Sequence, residues 1–156
     1  MKLSEWIKKF GDCEITEEME KCIKKKDGKW MPERGRTYYL VGSNGSVVWS
    51  LWDGDITDNY RRDFMRIFKT EKEAERYLEI MKVCKEASFE PDWNDNKYNK
   101  HYFRMDYNEN KVCIDSHCCY FNGEQFLFES EAVAQSLVDK FGEKDIAKYV
   151  LGVEVE

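Results

Sequence analysis

Apolar and polar positions alternate in two parts of the chain, and each alternating part contains a turn signal. The first part runs Thr37-Tyr38-Tyr39-Leu40-Val41, then an Asn44-Gly45 turn, then Val47-Val48-Trp49. The second runs His101-Tyr102-Phe103-Arg104-Met105, then an Asn108-Glu109-Asn110 turn, then Val112-Cys113-Ile114. Alternation around turn residues predicts two antiparallel hairpins, the first with strands near 37–42 and 46–52 and a type I′ turn at Asn44-Gly45.

Each hairpin is followed by a segment with helical spacing. Thr70 and Glu73 form a capping box that predicts a helix over 71–87, and Ser130 precedes a second helix that Gly142 ends. A last short helical turn is expected at 145–150. Residues 53–63 are polar and are expected to form a loop, after which 64–68 resume a strand.

The two parts therefore carry the same order of elements. One hairpin, strand and helix is too small to bury its own apolar face, so we expect the two copies to fold against each other. The predicted fold is α+β, with two ββ(β)α repeats forming an antiparallel sheet packed by helices behind an N-terminal helical arm. The predicted domain is single, 1–156, with its parts as follows: arm 1–36, first repeat 37–89, linker 90–100, second repeat and C-terminal turn 101–156.

Composition and charge narrow the class of protein. The chain has 156 residues, of which 42% are hydrophobic, enough for one core. Residues 1–36 hold 10 Lys/Arg and 8 Asp/Glu, a charge of +2, whereas residues 37–156 hold 15 and 23, a charge of −8. The acidic body argues against direct binding to duplex nucleic acid. No apolar run reaches the roughly 20 residues of a membrane span, and the N-terminus lacks a secretory signal, so we expect a cytoplasmic protein with free thiols and no membrane contact.

Residues able to carry catalysis are sparse. The two histidines, His101 and His117, follow no nucleophile motif. Cys113, His117 and Cys119 share a strand face, but packing is favoured over a structural zinc because the C-x2-C spacing is absent. We expect no enzyme, no cofactor and no metal.

The acidic residues of the 53–63 segment suggest a calcium-binding site. Asp53, Asp55 and Asp58 lie near Gly54. Their spacing lacks the glycine and the glutamate of an EF-hand, so a solvated loop is the preferred interpretation.

Aromatic residues among carboxylates suggest a protein-binding surface instead. Tryptophan and tyrosine are common interface anchors, and carboxylates around them favour a basic partner. Trp49 continues an alternating strand and is assigned to the core, whereas core and surface remain open for Trp52 and Trp93. The candidate binding residues are Trp52, Asp53, Asp55, Asp58, Tyr60, Asp92, Trp93 and Asp95.

Four segments are similar to those of a known class of proteins: Leu3-Ser4-Glu5-Trp6-Ile7 to Gly11-Asp12-Cys13, residues 68–75, Pro91-Asp92-Trp93-Asn94, and residues 146–154. With them the chain resembles small accessory proteins encoded by phages and prophages of Gram-positive bacteria. The resemblance covers most of the chain and implies a bacterial host cytoplasm and an anti-defence setting, such as the blocking of CRISPR nucleases. It assigns no catalytic or binding residue.

The sequence thus predicts a phage-encoded inhibitor that binds a basic host defence protein through an acidic, aromatic surface. Two alternatives stay open: a module that binds or sequesters a small ligand or nucleotide between the repeats, and a virion structural or assembly protein. Whether the chain forms a homodimer is also open.

Overall fold

In the computed structural model of the chain, the described residues are 30–90, 100–117 and 126–153, without the side chains of Phe64 and His117. The chain divides into two compact units, residues 1–32 and 33–156. All the elements below belong to the second unit. The predicted helical arm lies almost wholly outside the described residues.

The first sheet has three antiparallel strands in the order β2-β1-β3, with β1 at Thr37–Val41, β2 at Val47–Leu51 and β3 at Ile67–Phe68. The predicted hairpin is confirmed, but its turn is not type I′. Gly45 has a φ of +73°, whereas Asn44 is not among the residues with positive φ. The amide of Gly45 donates to Gly42 O and that of Gly42 to Ser46 O, which is the pattern of a turn followed by a glycine bulge.

The predicted loop at 53–63 is wrong over most of its length, because α1 spans Ile56–Phe64. The strand expected at 64–68 is correspondingly reduced to β3. A stripe of apolar residues was required to predict a helix, and α1 has mostly polar side chains, so the segment was predicted to be a loop. Here Asp55 caps the helix and polar groups make its contacts with the sheet.

Helix α2 spans Glu71–Ala87, as the capping box predicts. Thr70 Oγ1 accepts a hydrogen bond from the amide of Glu73 at 3.2 Å. The Glu73 carboxylate reaches back to the amide of Lys69, one residue before the cap, at 3.1 Å. Ala74, Ile80 and Cys84 form the buried side of the helix.

The second sheet pairs β4, Lys100–Asp106, with β5, Lys111–His117, in antiparallel register. Phe103 and Met105 are buried on one face, while Arg104 on the other face is exposed, so the alternation predicted for these residues is confirmed. Tyr107, predicted to continue the face of Phe103, lies in the turn after the strand and is 77% exposed. Phe128 forms an isolated antiparallel bridge with His101. Helix α3 follows at Glu131–Phe141, with Ser130 as its N-cap and Gly142 at its end.

The C-terminal part of the unit packs on α2. A short helix α4, Glu143–Asp145, leads into the π-helical segment Ile146–Leu151, where the sequence predicts only a short turn. Arg66 donates a hydrogen bond to Lys148 O at 3.0 Å and another to Tyr149 O. Ion pairs of 2.8 Å join Lys148 to Glu73 and Asp145 to Arg76. The bonds from Arg66 satisfy two carbonyl oxygens near the end of the π-helical segment, and the ion pairs fix the segment to α2.

One hydrophobic core joins the two sheets, α2, α3 and the π-helical segment. Its fully buried residues include Phe128, Ile80, Cys84 and Ile146, and Phe68 is 7% exposed. The described part of the chain is therefore an α+β fold with two small antiparallel sheets in place of the one sheet that the sequence predicts. None of the described helices has the length and apolar character needed to cross a membrane.

Candidate functional site: an exposed surface on β2 and α1

The turn between β2 and α1 is built around the buried carboxylate of Asp58, which is 3% exposed. Its Oδ1 accepts a hydrogen bond from Tyr38 Oη at 2.7 Å. Its Oδ2 accepts bonds from the backbone amides of Asp53 at 2.8 Å and Gly54 at 3.1 Å. Arg61 lies 3.9 Å from Oδ1 and also donates to Tyr38 Oη. Asp58 therefore ties the turn and the helix to the first sheet.

These contacts decide the protonation of the pair. Burial alone would raise the pKa of Asp58, but the hydrogen bonds from Tyr38, Asp53 and Gly54 and the charge of Arg61 outweigh it and lower the pKa. Burial and the hydrogen bond to Asp58 raise the pKa of the Tyr38 hydroxyl. At neutral pH the pair is thus a carboxylate that accepts from a neutral phenol.

The other two aspartates hold the turn locally. Asp55 is the N-cap of α1, and its side chain accepts from the amide of Asp58 at 2.8 Å. Asp53 Oδ1 accepts from the amide of Asp55 at 2.9 Å. Asn59 adds bonds to the carbonyls of Gly54 and Asp55. Both Asp53 and Asp55 are exposed.

The three aspartates bring one oxygen each to within 4.8 Å of one another, a spacing that a cation could bridge. The Asp58 carboxylate, however, already accepts from three donors. A cation at this position would have to displace a buried hydrogen bond or use the two exposed carboxylates alone. The arrangement is explained by helix capping and by anchoring of the turn.

The structure separates the predicted binding residues into three groups. Asp53, Asp55 and Tyr60 are exposed, and Tyr60 has 58% of its surface accessible. Trp52 and Asp58 are buried, so neither forms part of an exposed patch. Trp52 is 4% exposed and its ring lies edge-on to Tyr38 at 5.8 Å. Asp92, Trp93 and Asp95 lie outside the described residues.

Trp49 was assigned to the core by its place in an alternating strand, and this is wrong: it is 67% exposed. It shares a face of the sheet with Tyr39, its partner on β1, and with Val47. Tyr39 and Val47 pack against the core, but Trp49 and Leu51 lie nearer the other end of the edge strand and stay exposed. Alternation identifies a face of a strand but not how far the covering helix extends along it.

Sequence reasoning missed two further exposed apolar residues, Leu51 at 55% and Ile56 at 87%. Ile56 and Tyr60 are one helical turn apart on α1. The signal that could have found this surface is the absence of Lys and Arg from residue 37 to residue 60. We define the β2–α1 surface as the exposed residues Trp49, Leu51, Asp53, Asp55, Ile56 and Tyr60. These residues are grouped by their closeness in sequence: Trp49 and Leu51 lie on the sheet face of Tyr39, whereas Arg61 of α1 contacts Tyr38 and Ser50 on the opposite face.

The two cysteines in the described part of the chain show no sign of a reactive thiol. Cys84 and Cys113 are free thiols. Burial raises the pKa of Cys84 to about 11, which keeps it protonated and unreactive. The His117 side chain, Cys118 and Cys119 lie outside the described residues, so the zinc alternative stays a sequence prediction.

No protein-family model matches the chain, and comparison with curated proteins and with solved structures gives no significant match.

Proposed function

We propose that the protein is a non-enzymatic module that binds a basic partner protein through the β2–α1 surface. Within the described residues, eight large hydrophobic side chains are exposed, and four of them, Trp49, Leu51, Ile56 and Tyr60, belong to the β2–α1 surface. Exposed apolar side chains that are concentrated in one short segment, as here, are more typical of protein-binding sites than single ones scattered over the surface. This concentration is the observation that supports the proposal most strongly.

The charge around these side chains favours a basic partner. Between residues 37 and 60 the only charged residues are Asp53, Asp55 and Asp58. Asp58 is buried, and the two exposed carboxylates border Trp49 and Leu51 in sequence. Carboxylates at the rim of an apolar patch accelerate the encounter with a positively charged surface, while the apolar centre slows release.

The resemblance to phage and prophage accessory proteins suggests the class of partner. A host defence protein with a basic nucleic-acid-binding surface, such as a CRISPR nuclease, would be blocked when the acidic module occupies that surface. In this proposal the module binds the defence protein itself and does not bind duplex nucleic acid directly.

Binding kinetics against purified CRISPR nucleases and other basic host defence proteins test this proposal. We expect at least one to bind at micromolar concentration or below. Trp49→Ala should speed dissociation, whereas Asp53→Lys with Asp55→Lys should slow association and flatten its salt dependence. Tyr107→Ala, in the exposed turn between β4 and β5, is the matched control and should change neither rate. Absence of binding across the panel, or variants that bind as the natural protein does, would contradict the proposal.

We also propose that the two halves of the second unit are copies of one ββ(β)α unit. Phe68 pairs with Tyr39 of the first hairpin, and Phe128 pairs with His101 of the second. Both phenylalanines are buried, and each stands two residues before the cap of a helix. The copies differ in register, because Tyr39 is in the middle of β1 and His101 is near the start of β4.

A further inference from the structure

Strand β2 is the outer strand of its sheet. It pairs with β1 on one side, and the described residues place no strand on its other side. An edge strand carries backbone N–H and C=O groups that can pair with a further strand, and proteins usually guard such edges with charges, proline or bulges. β2 has the sequence Val-Val-Trp-Ser-Leu and contains none of these guards.

The hydrogen bonds of the hairpin show which groups face outward. The amide of Gly42 donates to Ser46 O at 2.8 Å and that of Trp52 to Arg36 O at 2.9 Å, so Ser46 and Trp52 face β1. Hydrogen-bonded positions alternate along an antiparallel pair. The backbone groups of Val47, Trp49 and Leu51 therefore point to the open edge.

Side chains and charge extend this edge into a binding site. Residues 37–52 contain no charged side chain, although 36% of the chain is charged. Trp49 and Leu51 project from the face shared with Val47. Asp53 follows Leu51 by two residues, about 7 Å along an extended chain. The open edge is thus neutral and apolar along its length and acidic at its C-terminal end.

We propose that an extended segment of the partner adds to β2 as an antiparallel strand, with apolar side chains against Trp49 and Leu51 and a lysine or arginine beside Asp53 and Asp55. This deepens the proposed function and rests on it. Main-chain hydrogen bonds to Val47, Trp49 and Leu51 supply the affinity, and the alternate side chains and the basic end supply the specificity.

A second copy of the chain fits the same edge less well. Pairing β2 with β2 would join only one five-residue strand from each chain, whereas a stable interface buries roughly 1,000 Å² or more. It would also bring together two chains of net charge −6 with no cation opposite Asp53 or Asp55. A basic strand removes both difficulties, because it neutralises the carboxylates and belongs to a larger partner surface.

The test titrates the full chain with a synthetic peptide, acetyl-Lys-Lys-Val-Thr-Val-Thr-Val-amide, and follows backbone amides by NMR and hydrogen exchange. In the free protein the amides of Val47, Trp49 and Leu51 should exchange faster than those of Val48 and Ser50. With millimolar peptide, the first three amides should shift and become protected. A peptide with the same side chains but N-methylated valines is the matched control and should have no effect, since its edge donors are removed. Glutamates in place of the lysines should weaken binding at least threefold at low salt.

Other outcomes overturn the proposal. Peptide shifts elsewhere on the protein, no shifts at millimolar peptide, or equal binding of the N-methylated peptide would exclude strand addition at β2. Protection of the three amides that rises with protein concentration in the absence of peptide would identify a second copy as the occupant. The peptide tests strand addition at β2 separately from partner binding through the β2–α1 surface, because it reports on the edge alone. A protein partner that binds without protecting these amides would exclude strand addition and leave the proposed function standing.

Discussion

Replacing Asp58 by Asn is expected to destabilise the protein by about 2–4 kcal/mol, because it removes a buried charge whose partners cannot be satisfied by an amide. Oδ1 accepts from Tyr38, and Oδ2 accepts from the amides of Asp53 and Gly54. An asparagine must turn its NH2 group toward one of these donors. Arg61, 3.9 Å away, also loses its charge partner.

The measurement is urea unfolding followed by circular dichroism at pH 7. Asp55→Asn is the matched control, because asparagine is as good an N-cap as aspartate and should cost under about 0.5 kcal/mol. Combining Asp58→Asn with Tyr38→Phe should give a coupling of about 1–3 kcal/mol, since the two side chains share a hydrogen bond.

The pH dependence has a definite sign. The pKa of Asp58 is lowered in the folded state, so its contribution is present above the unfolded value of about 3.9 and is lost as the pH falls through the lowered pKa. The stability difference between the natural protein and Asp58→Asn should therefore shrink below pH 4. If the Asp58 and Asp55 variants differ by less than half a kcal/mol at pH 7, the anchoring role of Asp58 is wrong.

Three further outcomes follow from the core, the thiols and the hydrogen bonds of Asp58. Phe68→Ala and Phe128→Ala should each reduce the free energy of unfolding by roughly 3–5 kcal/mol in urea titrations. The Tyr107 side chain is 77% exposed, so Tyr107→Ala should change this free energy by less than about 0.5 kcal/mol. Phenylalanine variants that behave like the tyrosine variant would contradict the assigned core. Iodoacetamide should leave Cys84 unmodified in the native protein and modify it on unfolding. The partly exposed Cys113 is the internal reference in mass spectrometry. Rapid labelling of Cys84 in the native protein would refute its burial. Millimolar calcium should shift the melting temperature by less than about 1 °C, because a cation would have to displace the hydrogen bonds of Asp58, and a rise of several degrees would restore the calcium interpretation.

The parts of the fold that could be predicted are those set by local chemistry. The Thr70 capping box and the apolar spacing behind it gave α2 its full bounds, and the alternation of Phe103 and Met105 gave the buried face of β4. Both signals act within a few residues, where propensity and periodicity determine the structure.

The parts that failed depend on contacts distant in sequence. Helix α1 has a polar sequence, and Asp58 on it is buried by Tyr38, 20 residues earlier, which no local pattern reveals. Trp49 alternates as a core residue should, but it is exposed while Val47 on the same face packs against the core, a difference set by elements distant in sequence. In the proposed binding surface, Trp49 and Leu51 therefore replace the buried Trp52 and Asp58, and Asp53, Asp55 and Tyr60 are exposed, as binding through them requires.

The most direct test of a partner-binding β2–α1 surface is a hydrogen-exchange footprint on the complex with whichever defence protein binds. We expect the slowed amides to lie between residues 47 and 60, with those of Val47, Trp49 and Leu51 protected most. Slowed exchange on the exposed side of α2, around Glu75 and Glu79, with 47–60 unchanged would contradict the account and move the interface to the helical face.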